Sequence, residues 1–308
     1  MSAALVSKPL AGHVVGISIS NGDPREAQHR GFDRDAVNRV VRNLSRHLLS
    51  QGARLTFGHD WRPNGVMAEV LNIASNYSFS STGEEDVARP MVSNCVAWPD
   101  EPYADPGELS RLKGKLSVER IDVPDAAIRG ISPDRGRDIP PDTPQFAFAR
   151  ACALTAMRQR MAAQCTARIC LGGKTSGSSG RCPGVIEEAM FAIEKQHPLY
   201  LSAIMGGATA QLIDAVRGQK DAPETFARPR QDVQEGFDLM KGHDMPAEME
   251  LIPPNRIWSE FRDLGVAGLS DANGLSPSEN EQLFDAATTN EVVRLVTYGL
   301  SRTSHGQS

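Results

Sequence analysis

Apolar and polar positions along the chain predict strands that alternate with helices. A β-branched run at 13–20 (HVVGISIS) predicts a strand, and apolar residues at helical spacing predict a helix over 33–50. The same patterns recur along the chain, with strands expected at 53–58, 91–97, 167–171 and 198–204 and helices at 65–77, 146–165, 184–195 and 207–216. Strands joined by helices specify a parallel sheet covered on both faces. We therefore predict an α/β fold with a parallel sheet and helices on both faces.

The stretch 99–145 departs from this pattern. It is rich in proline, aspartate, glycine and arginine, and its repeated prolines argue against long regular elements. We expect a Pro-rich insertion that holds only short helices, around 106–113, and adds nothing to a five-stranded sheet.

Residues 218–308 carry weaker signals. A charged stretch covers 219–240, and helical patterns return near 256–264 and 277–299. We predict a domain over 12–217 that includes the insertion, followed by a mostly helical C-terminal extension packed on the same domain.

Composition and charge narrow the class of protein. With 308 residues, 40% hydrophobic and 23% charged, the chain is typical of a globular protein. It has no apolar run long enough to span a membrane, and its first residues lack the features of a secretory signal. We therefore expect a cytoplasmic protein without a membrane partner. The net charge of -5 argues against a surface that neutralises nucleic-acid phosphates, so we expect no nucleic-acid partner.

Cysteine and histidine spacing gives no sign of a metal. The five cysteines contain no C-x-x-C pair, and their odd number does not suggest a disulfide framework. His13, His29, His47 and His197 lack the i, i+4 spacing of metal ligands. We expect reduced thiols, mostly in the core, with no metal and no cofactor.

The segment 169–189 (ICLGGKTSGSSGRCPGVIEEA) carries the most chemical information. A buried strand runs into a glycine- and serine-rich loop that opens a helix. Glycines let the backbone approach a phosphate, and a helix N-terminus favours its charge. The loop matches neither G-x-x-x-x-G-K-[ST] nor G-x-G-x-x-G, and the plainer interpretation is an ordinary polar connection. As ligand-binding candidates we select Gly172, Gly173, Lys174, Thr175, Ser176, Arg181, Pro183, Gly184, Glu187 and Glu188.

Other predicted strands also end in glycine or polar residues. Because the carboxyl ends of parallel strands meet at one edge of a sheet, these segments are expected to form a single cleft with the 169–189 loop. A nucleotide-like ligand would suit such a cleft. The further candidates are Ser18, Ser20, Gly58, His59, Arg62, Gly65, Gly206 and Gly207.

These motifs together resemble the SLOG superfamily, a Rossmann-like group that joins the lonely-guy (LOG) phosphoribohydrolases with ligand-sensing relatives. The resemblance covers about 12–217 and is carried by GGKTSGSSGRCPGVIEEA, the ISIS of the first strand and GHDWRPNG at 58–65. The LOG loop reads Pro-Gly-Gly-x-Gly-Thr-x-x-Glu. In this sequence Leu171 occupies the position of the LOG proline, and Gly184-Val185 occupies that of Gly-Thr. Glu188 occupies the position of the final glutamate of the LOG motif. The upstream LOG arginine has Arg158 or Arg160 near its place.

The departures from the LOG loop favour the sensing branch, whose members resemble the ligand domain of Thoeris anti-phage effectors and the amino-terminal region of melastatin channels. The resemblance implies binding of an ADP-ribose or NAD-related ligand, in a bacterial stress or anti-phage signalling pathway. Phosphates would lie on the 172–184 loop and ribose hydroxyls on Glu187 or Glu188. The alternative is a LOG-like N-glycoside hydrolase in which Glu188 is catalytic and Arg158 or Arg160 holds the phosphate.

Two smaller questions stay open at the level of sequence. We expect a homo-oligomer, and the helix at 146–165 is a candidate subunit contact, although core packing is the plainer interpretation; an oligomeric scaffold with a vestigial cleft is a third hypothesis. Cys182 lies beside Arg181, where a thiolate is favoured, but an inert small residue is the simpler expectation.

Overall fold

A computed structural model describes residues 8–20, 35–58, 61, 65–76, 90–101, 106–131, 138–241 and 249–303. Its strands are β1 (Val14–Ser20), β2 (Arg54–Gly58), β3 (Val92–Ala97), β4 (Leu116–Ile121), β5 (Ala167–Gly172) and β6 (Leu199–Ser202). Its helices are α1 (Ala36–Ser50), α2 (Val66–Asn76), α3 (Pro106–Arg111), α4 (Asp125–Ile131), α5 (Pro144–Gln164), α6 (Gly184–Glu194), α7 (Gly207–Val216), α8 (Gln231–Leu239), α9 (Pro254–Asn273), α10 (Pro277–Phe284) and α11 (Thr289–Thr303).

The strands form one parallel sheet in the order β4-β3-β2-β1-β5-β6. From β1 the chain builds outward to β4, then returns to the other side of β1 to lay down β5 and β6. The order of strands therefore reverses between β1 and β5. Ligands of open parallel sheets bind outside the carboxyl ends of the strands at such a reversal point.

Successive side chains along each strand point to opposite faces, and both faces are covered by helices. Val15, Leu55 and Ile169 belong to a core shared with α1, α2 and α11. On the other face, Cys170 packs with α6, α7 and α9, whereas Cys95 packs with α4, α5 and α8. The predicted Rossmann-like α/β fold is confirmed.

The prediction for 99–145 is wrong in one respect, because this stretch contributes a strand to the sheet. β4 pairs in parallel with β3 and forms the edge of the sheet. Its sequence, LSVERI, has only partial burial, so the run of apolar residues that marks the inner strands is missing. The prolines lie on either side of β4 and do not interrupt it.

Helices that follow α7 pack on the same sheet. α9 lies against α7, α10 contacts β6, and α11 packs on α1. The helical pattern at 277–299 is two helices, α10 and α11, and the charged stretch 219–240 contains α8. The apolar side of α5 is covered within the chain by β3, α6 and α8. Core packing therefore accounts for this side of α5, and the expectation of a subunit contact there is not needed.

Candidate functional site

A cavity of about 590 Å³ opens at the carboxyl ends of β1 and β2, beside the loop that follows β5. It lies at the reversal point of the strand order. Predicted candidates that line it are Ser18, Ser20, Gly58, Arg158, Lys174, Pro183, Gly184 and Glu188. The remaining lining residues, which sequence reasoning did not select, are Ile17, Ile19, Phe57, Val66, Arg150, Leu154, Met157, Ser178, Ser179, Gly180 and Val185.

Glu188 is held at the cavity wall by two donors. Its Oε2 accepts a hydrogen bond from Ser18 Oγ at 2.6 Å and one from Arg168 Nη1 at 2.7 Å. Arg168 is 1% exposed, and the same Nη1 also donates to Ser18 Oγ at 3.0 Å. The other carboxylate oxygen, Oε1, accepts no hydrogen bond within the described residues; Arg158 Nε lies 3.9 Å from it.

Arg168 was missed by the sequence analysis, although the sequence contains a signal for it. An arginine in the middle of the apolar strand ARICL requires a buried partner, since an unpaired buried charge is costly. Room for its guanidinium comes from Gly16 on β1, where a Cβ would lie 2.7 Å from Arg168 Cζ. Glycine inside a strand often marks such a close approach.

Glu187, the neighbouring carboxylate, does not line the cavity. Its side chain is fully buried and forms ion pairs with Arg158 and Arg181, while Thr155 Oγ1 donates to it at 2.8 Å. Burial raises the pKa of Glu187, but the charges and hydrogen bonds of the two arginines outweigh burial, and the net pKa is below its ordinary value. Glu187 therefore joins α5, α6 and the loop in a buried ionic cluster.

Arg158 connects this buried cluster to the cavity. Its guanidinium lies directly beneath the loop: a Cβ on Gly180 would come within 2.7 Å of Nη1, and one on Gly184 within 2.8 Å of Nη2. Glycine at both positions lets the loop backbone lie on the guanidinium. Nε of Arg158 is buried and has no hydrogen-bond partner among the described residues.

The turn after β5 requires glycine because backbones meet there. Gly172 has a φ of 63°, and a Cβ at this position would lie 2.5 Å from the Ser20 carbonyl oxygen. Gly207 has a φ of 64°, and its Cβ would lie 2.3 Å from the Gly173 oxygen. The predicted candidates Gly172, Gly173, Gly206 and Gly207 do not line the cavity; all four have a positive φ and form the turns beside it.

A strap formed by residues 225–230 holds the outer side of the loop. The Ala227 N–H donates to the Thr175 carbonyl at 2.9 Å, and the Gly177 N–H donates to Arg228 at 2.8 Å. The Arg230 N–H donates to the Ser178 carbonyl at 3.0 Å. The loop is therefore held by Arg158 on one side and by the strap on the other. The predicted candidates Thr175 and Ser176 lie on the strap side and do not line the cavity.

Four other residues considered for the site either lie elsewhere or fall outside the described part of the chain. Gly65 lines a separate cavity of about 360 Å³ between the N-terminal halves of α1 and α2. His59 and Arg62 lie outside the described residues. Arg160, the second arginine considered for a phosphate, pairs instead with Glu119 on β4 at 2.8 Å and does not line the cavity.

The thiol chemistry considered for Cys182 is not supported. The side chain is fully buried, and burial raises the pKa of its thiol well above the ordinary range, so the inert form is favoured. Within the described residues, no three histidine, cysteine or acidic side chains are grouped as a metal would need. In the same part of the chain, none of the helices has the length and apolar character needed to cross a bilayer.

A parallel sheet with helices on both faces and a cavity at its reversal point defines a Rossmann-like protein. The chain matches the family model described as SLOG cluster2 over residues 9–283, and it belongs to that family. The resemblance to the SLOG superfamily is thereby confirmed. Comparison with curated proteins finds no match.

Proposed function

We propose that the cavity binds a nucleotide-derived ligand of the ADP-ribose or NAD-related class, with its phosphates at the start of α6. The first N–H groups of a helix have no partner within the helix, and the helix dipole favours an anion there. Gly184 and Val185, which begin α6, line the cavity. Lys174 also lines it, is exposed, and forms no ion pair within the described part of the chain. These features suit a phosphate.

Glu188 is the proposed acceptor for the ribose hydroxyls, and its geometry is the observation that carries this proposal. Two hydrogen bonds fix Oε2, while Oε1 makes none with the described residues. A fixed carboxylate with one available oxygen at a cavity wall is suited to accept hydrogen bonds from a diol. Glu187, fully buried and paired, is left with a structural role in this proposal.

Binding without turnover is favoured over hydrolysis by the restraint on Glu188. A general base has to reach a water molecule in line with the glycosidic carbon. Here Ser18 and Arg168 hold one oxygen, and the other lies on the side of Arg158. LOG-like hydrolysis remains the competing function because a guanidinium and a carboxylate share the cavity wall. A protein that binds without turnover acts as a sensor, and we place that role in bacterial stress or anti-phage signalling on the basis of the SLOG resemblance.

The proposal is tested by calorimetry with AMP, NAD and ADP-ribose, together with chromatography for released base. We expect binding without base release. Glu188→Gln should weaken binding about tenfold, since hydrogen bonds to charged groups contribute roughly 1.5–3 kcal/mol. Glu194→Gln, an exposed change on the same helix, is the matched control and should leave affinity unchanged.

Two results would contradict this proposal. Base release that Glu188→Gln abolishes, with binding retained, would make the protein a hydrolase. A wild-type protein that binds none of the three compounds would remove the basis for a nucleotide site.

A further inference from the structure

One side of α5 forms a long wall of the cavity. Arg150, Leu154, Met157 and Arg158 all line it, at the spacing of a single helix face. Arg158 marks the end nearest α6, because its guanidinium lies against Gly184. Arg150 lies about 12 Å farther along the helix, at a rise of 1.5 Å per residue. The wall is therefore comparable in length to a nucleoside monophosphate.

The middle of the wall is apolar. Leu154 and Met157 line the cavity from α5, and Phe57 and Val66 line it from β2 and α2. Apolar and thioether side chains are suitable surfaces for the faces of a planar ring. A ligand with its phosphate at α6 and its ribose at Glu188 would place its base over this section.

Arg150, at the far end, has hydrogen-bonding capacity that the described residues do not use. Nη2 donates to Asp100 Oδ2 at 2.9 Å, whereas Nη1 donates to none of the described residues, and the side chain lines the cavity with 29% of its surface exposed. A guanidinium carries five N–H donors and no acceptor. It therefore suits ring nitrogens or carbonyl oxygens of a ligand. The Asp100 carboxylate balances its charge, which favours a neutral group here over a second phosphate.

We propose that Arg150 is a specificity-determining residue that donates hydrogen bonds to the acceptor edge of the ligand's nucleobase. The proposal rests on the nucleotide-binding function proposed above. It assigns a binding partner to the nucleobase, which lies at the opposite end of the ligand from the 172–184 loop. Under it, the cavity holds phosphate, ribose and base in order from Lys174 to Arg150.

Three probes separate base recognition from phosphate recognition: AMP, adenosine and ribose 5-phosphate, each measured by calorimetry or by competition against AMP. Arg150→Ala should weaken AMP and adenosine about tenfold and leave ribose 5-phosphate within about twofold, because only the first two carry the base. Arg150→Lys should recover little of this loss, since lysine lacks the planar fork. Arg160→Ala is the matched control on the same helix, outside the cavity, and should change none of the three affinities.

The outcomes are distinguishable from a failure of the proposed function. If the wild-type protein binds neither AMP nor either fragment, nucleotide binding itself is wrong. If the wild-type protein binds AMP and Arg150→Ala binds it equally well, Arg150 does not read the base. If Arg150→Ala weakens ribose 5-phosphate as much as AMP and spares adenosine, Arg150 is a phosphate ligand and the proposal is overturned.

Discussion

Glu187 and Glu188 are adjacent in sequence, but Glu188 lines the cavity whereas Glu187 is buried in an ionic cluster. On α6, consecutive side chains point about 100° apart, so Glu188 reaches the cavity while Glu187 faces α5. The buried Glu187 carboxylate forms ion pairs with both Arg158 and Arg181. Its replacement by a neutral side chain would remove the carboxylate that pairs with both buried guanidinium groups.

Glu187→Gln is therefore expected to destabilise the protein by about 3–5 kcal/mol, the range for breaking one side of a buried ion pair. The free energy of unfolding, measured in urea, checks this value. Glu194→Gln at the exposed end of the same helix should change stability by less than about 0.5 kcal/mol. Equal stability of the two variants would show that the cluster does not hold α6 to α5.

Acid should have the same effect as this substitution. The folded-state pKa of Glu187 is lowered, so its contribution to stability is complete above the unfolded pKa, about 4.3. The contribution is lost as pH falls from there through the folded pKa. Unfolding free energies should decline across that acidic window, and a constant value through it would contradict the pKa direction.

At the scale of elements, the strap at 225–230 joins the segment after α7 to the loop that follows β5. Arg230 offers a clean test because its φ of −65° is already that of proline. Arg230→Pro removes the N–H that donates to Ser178 and places a ring carbon against the Ser178 carbonyl oxygen, so the strap and the loop must separate there. Arg230→Ala removes the same side chain and keeps the N–H.

We expect Arg230→Pro to loosen the loop, because one hydrogen bond is worth about 1 kcal/mol, or about fivefold in an opening equilibrium. Hydrogen exchange at the Gly177 amide, which donates to the Arg228 carbonyl, should be at least about fivefold faster than in the wild-type protein. Arg230→Ala should exchange at the wild-type rate. The same rate in both variants would mean that this bond does not restrain the loop.

Sequence patterns predicted the elements that carry strong periodicity and missed the one that does not. Five strands have apolar residue runs that predict a buried strand directly from the sequence: β1, β2, β3, β5 and β6. β4 is an edge strand with exposed and half-buried residues between prolines, and only its pairing with β3 shows that it belongs to the sheet. The hydrophobic pattern of a strand is weak where few of its side chains are buried, as in β4.

Within the site, the sequence could predict residues that are close to one another along the chain. It could not predict residues that only the fold brings to the cavity. Glycines and acidic residues of 172–188 were selected because the loop is continuous in sequence. Arg150 lies on a helix before β5, and its side chain reaches the cavity only because α5 crosses the sheet next to β2 and β3. Arg168 is a buried residue of β5 that holds Glu188, and its guanidinium has room only because position 16 of β1 is glycine.

For the molecule as a whole, the strand order explains why one cavity gathers these groups. β1 and β5 are neighbours although the chain between them builds three other strands. The ends of β1 and β2 therefore lie beside the loop that follows β5, and α5 and α6 flank the cavity there. Helices after α7 pack against the same sheet, and the SLOG cluster2 match extends through residue 283. The residues that line the cavity lie between positions 17 and 188, and the strap at 225–230 holds its loop from outside.

Native mass spectrometry of the protein purified from its own host tests the central claim most directly, since it needs no assumption about which nucleotide binds. The wild-type protein is predicted to carry a nucleotide-sized ligand, and a protein with both Gly184→Val and Glu188→Ala is predicted to emerge without it. Glu194→Ala, prepared in parallel, should retain the ligand. A wild-type protein with no such mass, or a double variant that keeps it, would contradict a nucleotide site at the carboxyl ends of β1 and β2.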